Sequence, residues 1–120
     1  MFEFSDETLS YFFKARDQAG EFSLQDKSVK LLTFGDKHSL VGWRLFLRYD
    51  NQKIADIRYQ VSGSVCAIAV IALIAEILLK NNGEVKKIDF DFVVAKLNLT
   101  KAQYPYAVMA EEFVQKFLYN

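Results

Sequence analysis

The sequence predicts an α+β domain: a three-stranded antiparallel β-meander with an N-terminal helix before it and C-terminal helices packed on one face. Three observations carry this. Two neighbouring stretches, 42–49 and 54–61, alternate apolar and polar residues with period two, the mark of half-buried strands. The apolar run 65–79 that follows is too long for a further strand. Strands followed by a run of helices argue for a sheet covered on one face rather than for alternating βαβ units.

The elements follow in order. Ser5 before Asp6 and Glu7 is a helix N-cap with acids in the first turn, where they complement the helix dipole. Leu9, Phe12, Phe13 and the stem of Arg16 recur at three- and four-residue spacing as the expected buried stripe, and Gly20 closes the segment. Residues 28–33 read as the first strand, and 34–39 as a loop with turn chemistry. In the second strand Trp43, Leu45, Leu47 and Tyr49 share one face, and Arg44, Phe46 and Arg48 the other, charged face. A polar turn over 50–53 leads to the third strand, with Ala55, Ile57, Tyr59 and Val61 inward and Asp56, Arg58 and Gln60 outward. Arg44, Arg48, Asp56 and Arg58 are thereby expected to pair across strands on a solvated surface.

Ser62, Gly63 and Ser64 break the strand, and a core helix is expected over 65–79. A membrane span needs about 20 apolar residues. This run is shorter and ends in Lys80, Asn81, Asn82 and Gly83, a helix-stop signal. After Asp89, the residues Phe90, Val93, Val94 and Leu97 mark a third helix. Pro105 is placed in the first turn of a last one, where its missing N–H costs nothing. There Val108, Met109, Phe113, Phe117 and Leu118 are the expected buried stripe, and Glu111, Glu112, Gln115 and Lys116 the wet face.

Composition narrows the function. With 120 residues, 52% of them apolar, the chain can bury one core, so residues 1–120 are read as a single domain. Fifteen Lys+Arg balance fifteen Asp+Glu with no long run of either sign, which disfavours nucleic acid as a partner. The single cysteine, Cys66, permits no internal disulfide and fits a reducing cytoplasm. The acidic start lacks the pattern of a secretory signal. No Ser/His/Asp spacing of a known kind and no Gly-rich phosphate loop is present, so an enzyme is not expected.

Two segments resemble a known family. Gly63-Ser64-Val65-Cys66-Ala67-Ile68-Ala69, followed by Ala72-Leu73-Ile74-Ala75-Glu76, is similar to the central Gly-Cys-Gly-Ser-Ala-Ile-Ala motif of the U-type iron–sulfur cluster assembly scaffolds, the IscU and NifU N-terminal kind. Ala107-Val108-Met109-Ala110-Glu111-Glu112 resembles that family's last helix, and Val41-Gly42 its Cys-Gly at the start of the second strand. The family's Leu-Pro-Pro-Val-Lys segment is reduced to Leu99 in Leu99-Thr100-Lys101-Ala102-Gln103.

The resemblance implies the scaffold fold and a place in iron–sulfur biogenesis, and it also locates the departures. The three cysteine ligands of the family are replaced by Val41, Ser64 and Tyr106, and Trp43 stands where an acidic residue is usual. Sulfide-bridged iron is held by thiolates. Valine has no donor and the two hydroxyls are hard oxygens, so a cluster held as in the family is not expected. Two readings stay open. One is a degenerate member that keeps the fold as a cluster-free binding module, docking a cysteine desulfurase or another assembly component. The other retains weak iron, cluster or persulfide handling through Cys66, with Asp36 and His38 as improvised ligands.

The individual residues divide in the same way. His38 is either a surface loop residue, the simpler reading, or a ligand. Cys66 is either a small buried residue in the first turn of an apolar helix or a thiol made acidic by that helix's N-terminus. Trp43, Phe34, Tyr104 and Tyr106, with Pro105, either fill the space of the lost cluster or present an apolar partner surface.

Overall fold

The structure, a computed structural model, describes residues 4–35, 42–80 and 88–117. Helix α1 (Asp6–Gln18) is followed by strands β1 (Val29–Phe34), β2 (Gly42–Asp50) and β3 (Lys53–Ser62). Helices α2 (Val65–Lys80) and α3 (Phe90–Leu97), a single 3-10 turn (Lys101–Gln103) and helix α4 (Tyr104–Phe117) complete the order. The sheet runs β1-β2-β3 with both pairings antiparallel, so the expected meander and the α+β class are both present.

The β2–β3 hairpin turns on two residues, Asn51 and Gln52, both with positive φ (51° and 67°), between the paired Asp50 and Lys53. Two left-handed residues in succession match the twist of the flanking strands. Asparagine tolerates that conformation; glutamine does so at a cost of about 1 kcal/mol. Gln52→Gly is therefore expected to stabilise the fold by up to about 1 kcal/mol, read as a higher midpoint in urea with an unchanged slope.

Alternation holds along β2 and most of β3. Trp43, Leu45, Leu47, Ile57 and Tyr59 are buried in the main core. The parity changes at one place. Arg48 pairs with Asp56 but Tyr49 pairs with Ile54, so Ala55 is the extra residue of a bulge. Ile54 is buried and Ala55 exposed, which reverses the expected inward position of Ala55.

The opposite face of the sheet differs from a solvated charged surface. Phe46 is only 1% exposed there, outside the main core, with the Arg44 guanidinium 5.4 Å from its ring centroid. Arg48 and Arg58 lie 5.2 and 5.9 Å from the ring of Phe22, in the connection between α1 and β1. Asp56 stands 3.9 Å from Arg48 and 3.7 Å from Arg58, and Arg44 donates to Gln60 at 3.0 Å, so the expected cross-strand pairing is present. The Arg44 side chain lies over Phe46, covering with its guanidinium a ring that a bare surface would leave wet.

Helix α2 is buried from Cys66 to Ala75 apart from half-buried Ile68, as a helix apolar on all sides requires. It contacts α1, β3 and α4, and so occupies the middle of the helical layer. No described helix is long and apolar enough to cross a membrane. The stop signal expected at residues 81–83 lies outside the described residues.

Two helix stripes differ from expectation. In α1 the buried residues are Thr8, Tyr11 and Ala15, while Phe13 is 58% exposed. Thr8 can be buried because its Oγ1 donates to the Leu97 carbonyl at 2.8 Å, closing the last turn of α3. Ser5 caps α1 as expected, accepting from the Thr8 N–H at 3.0 Å. In α4 the core side is Ala107, Ala110, Phe113 and Val114, while Val108 is 42% exposed and Met109 half-buried. Alanines let α4 approach its neighbours closely, which places the buried stripe between the larger residues. The side chains of Phe117 and Leu118 lie outside the described residues. Glu111 leaves the wet face: half-buried, it accepts from the Phe90 N–H at 3.4 Å at the start of α3.

Candidate functional site

The region singled out by the sequence is the sheet end where β1 finishes, β2 begins and β3 passes into α2. Gly42 pairs with Ser62 there, and a shallow cleft of about 430 Å³ opens among Gly35, Gly42, Arg44, Gln60 and Ser62. Asp36, His38 and Val41 lie outside the described residues, so the geometry below concerns the remaining candidates.

Ser64 is exposed and caps α2. Its Oγ accepts from the Ala67 N–H at 3.4 Å and its carbonyl accepts from Ile68 at 3.1 Å. A serine at this position has a local structural use, satisfying amide groups that a helix start leaves open. Cys66, two residues on, is 1% exposed and belongs to the main core. Burial pushes its thiol above the ordinary range. That direction is opposite to the acidic thiol a helix N-terminus would create, and its cause is burial, which disfavours the charged thiolate. Of the two readings of Cys66, the buried small residue describes its surroundings.

The aromatic candidates do not form one patch. Trp43 is 1% exposed, stacked on Phe34 with ring centroids 5.3 Å apart and 27° between planes. Phe113 of α4 stands edge-on to both, 5.5 Å from Trp43 and 5.7 Å from Phe34. These are favourable offset and edge geometries. Trp43 as part of a partner surface is therefore corrected: its side chain joins the sheet to α4 inside the core. Its indole Nε1 is buried and has no hydrogen-bond partner among the described residues. Tyr104 turns elsewhere, edge-on to Phe90 at 5.2 Å. Tyr106, in the first turn of α4, is half-buried against the core, and only Pro105 of this set is exposed.

Sequence reasoning missed Phe113 as the third member of this cluster, assigning it only to a helix stripe. It also missed Gln103, buried just before α4, whose Oε1 accepts from the Thr100 N–H at 3.0 Å. A Thr-x-x-Gln spacing ahead of a helix is a capping signal and would have found it.

Among the described residues, the donors at the former ligand positions are not exposed thiolates. Ser64 offers a hydroxyl already engaged as a cap, Tyr106 a phenol, and the thiol of Cys66 is withdrawn into the core. Soft sulfur ligands are what sulfide-bridged iron requires. Among the described residues no three His, Cys, Asp or Glu side chains are grouped so as to hold a metal ion. Compared with protein-family models and with curated proteins, the chain matches none.

Proposed function

We propose that this chain is a divergent relative of the U-type iron–sulfur scaffolds that has become a cluster-free binding module in iron–sulfur biogenesis. The order of one helix, a three-stranded meander and three helices supports the fold that the resemblance implies. The observation that carries the cluster-free part is the fate of the ligand end: Trp43 is sealed between Phe34 and Phe113, and Cys66 is buried with its proton held. A fold kept without its ligand chemistry retains surfaces, so the partner is a protein, such as a cysteine desulfurase or another assembly component. A lone buried thiol suits a reducing cytoplasm.

Anaerobic incubation with ferrous iron and sulfide, then desalting, metal analysis and absorption spectroscopy, tests this reading. The expected result is iron no higher than that kept by an unrelated cysteine-free protein, with no cluster absorption. Stoichiometric iron with a cluster spectrum would overturn it.

A further inference from the structure

A second concavity, of about 300 Å³, lies away from the sheet-end cleft, between the last turns of α1, the end of β3 and the start of α2. Phe12, Phe13, Ala19, Val61 and Ile68 line it, and Arg16 is the one charged residue of its described lining. Phe12 and Phe13 meet edge-on at 5.3 Å, and the 58% exposure of Phe13 makes it an aromatic lip rather than a core residue. Arg16 is exposed and has no ion pair or side-chain hydrogen bond among the described residues. Its guanidinium, charged at any physiological pH, carries five N–H donors that no described residue engages.

An apolar trough with one unanswered cation fits an occupant that is apolar along its body and carries one negative charge. The volume stands at the lower limit of small-molecule sites, about 300 Å³, which restricts the body to a short or medium chain. A second copy of this chain fits less well. A two-fold contact would bring the same face, with its own Arg16, against the first, and the described groove lining contains no acid to answer either charge. We propose that this groove binds a small aliphatic carboxylate, the chain along Phe12, Val61 and Ile68 and the head group on Arg16. The site is independent of the cluster-free reading, since iron retention does not bear on it.

Octanoate is the probe, followed by nitrogen-edited NMR of the intact chain. Saturable shifts confined to α1, the end of β3 and the start of α2 are expected, with a dissociation constant on the order of 1 mM for a ligand of this size. Neutral 1-octanol, and octanoate with Arg16→Gln, should each bind roughly fivefold more weakly, as loss of one exposed charge contact implies. Ala19→Trp, at an exposed position with extended backbone, should fill the groove and abolish the shifts. Equal affinity for octanol and octanoate, unchanged binding by either variant, or shifts scattered over other surfaces would overturn the proposal. Ligand-free, concentration-dependent shifts at Phe13 would overturn it in favour of a second copy as the occupant. Arg16→Gln alters only an exposed side chain, so the charge test stands even if Ala19→Trp fails to fold.

Discussion

Trp43→Ala should destabilise the fold by about 3–5 kcal/mol, the usual range when a large buried aromatic is truncated to a methyl. The loss is this large because the indole packs on two rings of separate elements, Phe34 of β1 and Phe113 of α4. Its loss leaves a void between sheet and helix rather than a dent in one of them. Domains of this size are stable by only about 5–15 kcal/mol, so the variant should be largely or partly unfolded at moderate denaturant. Trp43→Phe separates packing from polarity. It keeps a ring in the stack and removes the indole N–H, which is buried with no acceptor among the described residues; an unmet buried donor of this kind costs about 1–3 kcal/mol. The two effects oppose each other, and the net change should stay within about 1.5 kcal/mol of the parent. Urea unfolding followed by circular dichroism measures both. If Trp43→Ala unfolded at the parental midpoint, the side chain would not be sealed as described, and the partner-surface reading of Trp43 would return.

The position of Trp43 was already legible in its own strand. It alternates with Leu45 and Leu47, and period-two patterning alone assigns it to the core face. Resemblance to a family whose corresponding position is acidic pulled it toward the surface, and the local pattern proved the better guide. The strands, their order and the core helix were legible because each is set by patterns within a dozen residues. Ala55 was misplaced because a bulge adds one residue, and a single added residue reverses inward and outward positions beyond it. The helix stripes were misjudged for a different reason. Periodic spacing points to the large apolar residues as the buried ones, whereas Ala15, Ala107 and Ala110 are buried and Phe13 and Val108 are not. Close helix approach favours small residues at the contact, and hydrophobicity read along one chain does not reveal which neighbour lies there. Thr8 shows the same limit, since its burial depends on a carbonyl 89 residues away.

Cys66 should react with a soluble aromatic disulfide at least about a hundredfold more slowly in the native protein than in denaturant at the same pH, because attack requires the thiolate and access to it. Burial withholds both: the sulfur is in the core and its proton is held more tightly than in an open thiol. Rapid stoichiometric labelling of the native chain would instead revive sulfur acceptance at this residue. The same burial predicts how stability varies with pH. Tyr59 is pushed up to about 12 by burial and then by the charge of Asp17. Tyr11 is pushed up to about 12 by burial and then by the nearby charge of Glu76. For each of the three groups the protonated, neutral form is favoured by the fold. Its contribution is therefore complete below the ordinary ionisation range and is lost as pH rises through the folded value. Above neutrality the unfolded chain releases these protons first, so unfolding free energy should fall from the thiol range onward and most steeply between the ordinary tyrosine value of 10.0 and about 12. Urea titrations across that interval should show Cys66→Ala flattening the early part of the decline and Tyr59→Phe the later part. A decline identical in the parent and in both variants would mean that neither proton is held by the fold.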